Sequence, residues 1–169
     1  MLKNLAYLNL GDSMLIGPIP SILCNLTNLN YLYLYSNQMN GSIPPKIGNM
    51  KNLNFLSLWN NNFCVQIPSR LTNLKGLDLG QNLINGSIAV EVGNMKNLSF
   101  LYHSNKNLNG QIPLTIGHLT NLNASYLSQN QINGSIPVEI GSLKNLIFLY
   151  LDHSNLIRHI LTQINNLHS

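Results

Sequence analysis

The sequence predicts an α/β repeat solenoid, a superhelix with a parallel β-sheet on its concave side and short 3₁₀ turns and loops on its convex side. Three observations carry the prediction. Leu5, Leu29, Leu53, Leu74, Leu98, Leu122 and Leu146 begin equivalent segments at steps of 24, 24, 21, 24, 24 and 24 residues. Each segment then carries apolar residues at a spacing of two, the periodicity of a strand. The composition is biased, with 32 Leu and 29 Asn in 169 residues and only 8% charged side chains.

Seven coils are expected, at about 5–28, 29–52, 53–73, 74–97, 98–121, 122–145 and 146–169, forming one domain over residues 1–169. The strand of each coil centres on Leu8/Leu10, Leu32/Leu34, Leu56/Leu58, Leu77/Leu79, Leu101/His103, Ser125/Leu127 and Leu149/Leu151. Strands that recur in one sense once per coil must pair in parallel, because the chain circles the whole coil between them. No coil can bury its leucines alone; stacked neighbours do it.

Five residues after the first core position stands Asn37, Asn61, Asn82 or Asn130, an amide able both to donate and to accept inside a turn. Stacked, these residues would satisfy buried backbone groups. Gly17, Gly41, Gly86, Gly110 and Gly134 follow where unusual backbone angles are needed, then Ile-Pro pairs at 19/20, 43/44, 67/68, 112/113 and 136/137. The remaining stretch is too poor in apolar positions for a long helix, so 3₁₀ turns are expected. Coil three lacks three residues between Arg70 and Leu71. Ser13, Lys106 and Ser154 replace the turn Asn, His103 and Ser125 replace core Leu, and Val65, Ala89 and Arg158 break the Gly or Pro pattern, so coils five and seven should be the loosest.

The net charge of +4 does not mark a nucleic-acid binder, since the nine basic residues form no run. Lys3, Lys51, Lys96 and Lys144 share one register and should line a solvated flank. Cys24 and Cys64 fall at different offsets two coils apart, which disfavours a disulfide. The first twenty residues show no signal-peptide pattern, and no 18-residue apolar run exists to insert in a membrane.

Function concentrates on the sheet. The residues flanking the two core positions point outward, giving about twenty-one concave positions that hold eleven of the twelve aromatics. Phe63 alone is placed in the core. Aromatics suit strands, and Tyr7, Tyr31, Phe55, Phe100 and Phe148, just before the first core residue, are accounted for by sheet stacking. Tyr33, Tyr35, Trp59, Tyr102, Tyr126 and Tyr150 lie further out and are the candidate ligand contacts. Asp78 and Asp152 also occupy outward positions, Asp12 lies one residue beyond, and no Lys or Arg does. An acidic, aromatic face would prefer an extended neutral or cationic peptide to an anionic one.

The pattern LxxLxxLxLxxNxLxGxIPxxIGxLxx, nearly intact in residues 29–52 and 122–145, resembles the plant-specific class of leucine-rich repeats. Phrases such as NGSIP and EIGSLKNL are similar to the ectodomains of plant receptor-like kinases and receptor-like proteins. The resemblance implies a protein or peptide ligand, a co-receptor ectodomain as possible second partner, and a location on the extracellular side of the plasma membrane. It also covers the secreted polygalacturonase-inhibiting proteins, the first alternative; an intracellular scaffold or a nonfunctional remnant is the second. Departures are the lack of a paired-cysteine cap before Leu2, of a closing cap and of a kinase domain, from which a fragment of a longer receptor is expected.

Sequons occur at Asn25, Asn40, Asn85, Asn97, Asn123 and Asn133, six against roughly 3.4 expected from Asn and Ser/Thr content, an excess that repetition of N-G-S largely supplies. They are glycosylation candidates if the parent is secreted. No phosphate loop, kinase glycine loop, H-R-D segment, nucleophile elbow or metal-ligand spacing is present, so neither catalysis nor a cofactor is expected. His103 reads as a neutral core histidine. Asp152-His153-Ser154 reads as three strand neighbours on alternate faces, unable to form a triad.

Overall fold

The structure is a computed structural model that describes residues 2, 4–64, 67, 70–104 and 107–157. Seven parallel strands form the concave sheet in chain order: Tyr7–Asn9, Tyr31–Tyr33, Phe55–Ser57, Gly76–Asp78, Phe100–Tyr102, Ala124–Tyr126 and Phe148–Tyr150. Equivalent residues pair without slippage, as in Leu8 with Leu32 and Leu32 with Leu56, and the shortened third coil keeps the register through Leu56, Leu77 and Leu101. Beyond each strand the ladder continues, with Leu10 N–H donating to Tyr33 O at 2.9 Å and Leu58 N–H to Asp78 O at 2.8 Å.

The turning asparagines behave as a chemically complete bridge. Asn61 Nδ2 donates to Leu58 O of its own coil and to Leu34 O of the coil before, while its Oδ1 accepts the amide of Met39. Asn37, Asn82 and Asn130 repeat the pattern. One amide thereby closes its own turn and ties it to its neighbour. Ser154 cannot span the gap, and its Oγ is buried with no partner.

Two lateral sheets of three strands each follow the asparagines, one over Ile16–Gly17, Gln38–Gly41 and Asn62–Phe63, the other over Asn109–Gly110, Gln131–Gly134 and Asn155–Leu156. The sequence reading has only turns and loops there. These segments are only two to four residues long, too short for their alternation to stand out in the sequence, and their pairing comes from the stacking of coils. The five glycines named above have φ between 72° and 88°, so the expected need for a missing Cβ is met.

The convex side carries 3₁₀ turns at Ser21–Asn25, Pro45–Asn49, Val90–Asn94, Leu114–His118 and Val138–Ser142. Coil three has none among its described residues, the consequence of its three-residue shortfall. Between sheet and turns runs a continuous core of Leu, Ile, Met and Phe63. His103 and Ser125 lie inside it at 2% and 0% exposure, and neither the His103 ring nitrogens nor Ser125 Oγ has a hydrogen-bond partner. Burial holds the His103 imidazole down at about 4, so the ring is neutral, as expected. Lys3, Val65, Pro68, Lys106, Arg158 and the end of the seventh coil lie outside the described residues.

Candidate ligand-binding face

The concave face begins as three outward positions per strand, and its rings fall into two groups. Tyr7, Tyr31, Tyr33, Tyr35 and Phe55 form a cluster in which Tyr31 and Tyr33 stack at 6.4 Å and Tyr35 meets Tyr33 edge-on at 6.3 Å. Tyr102, Tyr126 and Tyr150 form a stack, with centroids 4.8 and 4.7 Å apart and planes within 15°. That separation is the spacing of neighbouring strands, so the stack is imposed by the parallel register. The faces of Tyr126 are taken up by its neighbours; its edge and hydroxyl are what remain for a ligand.

Exposure departs from the expectation at one point. The position before the first core residue, assigned to sheet stacking alone, is exposed at Tyr7, Tyr31, Phe100 and Phe148, from 38% at Phe100 to 55% at Tyr7. Of the six candidate contacts, Trp59 and Tyr150 are exposed while Tyr33, Tyr35, Tyr102 and Tyr126 are half-buried. The middle of each strand is hemmed in by strands on both sides and by the rings beyond it. Tyr7, Tyr31, Phe100 and Phe148 therefore join the candidate face, and their strand position relative to the rim was the signal for them.

Coil four differs from the rest because its outward positions are Gly76, Asp78 and Gly80. Rings of coil three cover both glycines: a Cβ on Gly76 would meet Phe55 at 2.2 Å, and one on Gly80 would meet Trp59 at 3.0 Å. Asp78 lies between Ser57 and Tyr102 in the strand register. It is half-buried, accepts the Gly80 amide at 3.1 Å and the Ser57 hydroxyl at 3.4 Å, and desolvation pushes its carboxyl up to about 6. Desolvation also raises Tyr102, with smaller contributions from Tyr126 and Asp78.

Asp152 is the opposite case. It is exposed, and hydrogen bonds from Ser128 and then His153 lower its pKa. The contact with His153, Nδ1 to Oδ2 at 2.8 Å, corrects the reading of adjacent residues on opposite faces: His153 has φ of 54° and so turns back onto its neighbour. Ser154 still takes no part, since its Oγ is buried without a partner. Asp12, Ser36, Asn60, Gln81 and Gln129, each just before a turning residue, share that left-handed backbone.

The other predicted positions are scattered. Asn25, Asn40, Asn85, Asn97 and Asn133 are exposed and Asn123 half-buried. Cys24 is buried, Cys64 exposed, and both are free thiols. Among the described residues no group of His, Cys, Asp and Glu could hold a metal, and no helix is long and apolar enough to cross a membrane.

The leucine-rich-repeat family matches residues 4–26, 28–50 and 52–74. The whole fold is shared with solved leucine-rich-repeat structures. The chain folds as a leucine-rich-repeat solenoid. The Arabidopsis receptor kinase HAESA, solved with the peptide hormone IDA and the co-receptor SERK1, superposes with a TM-score of 0.85 at 35% identity, over 91% of this chain and 27% of that one. The plant peptide hormone receptor RGFR1, solved with RGF2, gives 0.75 at 31% identity, over 98% and 31%. An internalin of Listeria monocytogenes gives 0.80 at 26% identity, over 99% and 46%. No curated protein sequence matches. This leucine-rich-repeat chain thus resembles plant receptor-kinase ectodomains and spans about a quarter to a third of the two plant structures.

Proposed function

We propose that the chain is a ligand-binding segment of a plant receptor-like kinase or receptor-like protein ectodomain, and that it takes an extended peptide, or an extended segment of a protein, along its concave face. One observation carries the reading: Tyr7, Tyr31, Trp59, Phe100, Phe148 and Tyr150 are large rings exposed on one parallel sheet whose five inner strands are paired on both sides. Rigid amphipathic rings bind with little loss of conformational entropy. Two similar structures are complexes with peptide hormones, which supports the same use here. An extracellular site, glycosylation at the exposed sequons and a co-receptor partner go with this reading.

The test is a screen of peptides about ten residues long, the upper length of an ordinary strand, against the 169-residue chain, read by isothermal titration calorimetry. Binders should compete with one another and weaken when Tyr31, Trp59 and Tyr150 are each changed to Ala, with circular dichroism unchanged. Binding that survives all three changes would place the ligand elsewhere.

A further inference from the structure

We propose that Asp78, flanked by Trp59 and Tyr102, is a subsite for one guanidinium side chain of the ligand. This deepens the peptide-binding reading and rests on it. Asp78 and Asp152 are the two charged side chains at the outward positions, and their surroundings separate them. Asp152 is in water with Ser128 and His153 beside it. Asp78 is half-withdrawn from water with only an amide and a distant hydroxyl as donors, and among the described residues no Lys, Arg or His pairs with it. A desolvated carboxylate without a cation is costly, and a cation brought by a ligand removes that cost.

The surroundings select the kind of cation. Gly80 carries no side chain, and the place its Cβ would take lies 3.0 Å from Trp59 Cδ1, 3.2 Å from Ser104 O and 3.5 Å from Asp78 Oδ1, so the indole and the carboxylate converge over the glycine. Tyr102 neighbours Asp78 on the other side, in strand register. A planar guanidinium can bond a carboxylate through two N–H groups while its faces lie on aromatic rings; a compact ammonium cannot do both. Trp and Tyr are also the stronger cation–π partners. The subsite therefore favours Arg over Lys, and either over a neutral side chain.

Trp59 is the only tryptophan, so its fluorescence reports the subsite directly. The probes are acetyl-Gly-Arg-Gly amide and its citrulline twin, which has the same shape without the charge. The arginine probe should bind about tenfold more tightly, and Asp78→Asn should abolish the difference while leaving the thermal melt cooperative. Equal binding of the two probes, or a preference that persists in Asp78→Asn, would overturn the subsite. Should neutral ten-residue peptides bind while the probes behave alike, the subsite falls and the peptide reading stands. Should arginine selectivity appear with no longer peptide bound, the subsite holds and the broader reading falls.

Discussion

The ring of Phe55 lies across Gly76 of the next strand, close enough that a Cβ on the glycine would stand 2.2 Å from Cδ2 and Cε2 of the ring. The ring fills the space over its register partner, so a side chain on Gly76 requires the ring to move. Gly76→Ala should therefore displace the ring and cost about 1–3 kcal/mol, the range for overpacking a filled site. Urea unfolding followed by circular dichroism checks it. Phe55→Ala combined with Gly76→Ala should cost less than the sum of the two single changes, because the clash disappears.

The asparagine bridges predict an asymmetric pair of substitutions. Asn82→Ala removes the donor to Leu58 O and Leu79 O and the acceptor for Phe63 N–H, all buried. Unpaired buried backbone groups cost about 1–3 kcal/mol each before relaxation, so a loss of at least ~2 kcal/mol is expected. Ser154→Asn runs the other way, supplying the amide that its coil lacks, and should add about 1 kcal/mol. The midpoint of urea unfolding measures both; a Ser154→Asn protein no more stable than the parent would mean that its turn is shaped differently.

Much of this was legible from spacing alone. The repeat of Leu5, Leu29 and Leu53 fixes the parallel sheet because a coil returning every 24 residues has no other way to pair. Asn61 and Gly41 are legible for the same reason, each being the residue type that one local geometry requires. The lateral sheets were not legible, since Gln38–Gly41 is a four-residue, Gly-terminated segment with one apolar side chain, and it pairs because Ile16–Gly17 and Asn62–Phe63 are stacked on either side of it. Ring exposure was not legible either: Tyr31 and Tyr33 point to the same side, and only the neighbouring strands make one exposed and the other half-buried. His153 turned onto Asp152 because of a left-handed φ that no side-chain periodicity reveals.

Glycosylation can be predicted site by site if the chain is secreted. Asn40, Asn85 and Asn133 share one register and are exposed, so all three should be modified on secretion from plant or insect cells. Asn123 is half-buried, with its Nδ2 directed at Asn145 O at 3.5 Å, and should be modified least. Mass spectrometry of glycosidase-treated peptides reads the occupancy of each. High occupancy at Asn123 together with empty Asn40 would show that exposure does not govern modification here.

Acid should expose the weakest point of the core. The unfolded chain protonates His103 near its ordinary 6.5, whereas the folded chain resists until about 4. Between these values the unfolded state binds more protons, so stability falls as pH drops through that window and levels off below it, a loss of up to about 3 kcal/mol. Asp78 opposes part of this. Its folded pKa of about 6 lies above its ordinary 3.8, so in the overlapping window the folded state holds the extra proton and gains stability as pH falls. His103→Leu removes the first effect and leaves the second. It also replaces two unpartnered ring nitrogens with the residue type found at the equivalent positions Leu58, Leu79 and Leu127. The variant should be more stable than the parent by about 1–3 kcal/mol at pH 7 and by a wider margin at pH 4.5. Asp78→Asn should be the mirror case, gaining on the parent at pH 7 and losing that advantage by pH 4.5. Parallel melts of the three proteins at the two pH values separate the groups, and a margin for His103→Leu that narrows in acid would show that the histidine finds a partner when charged.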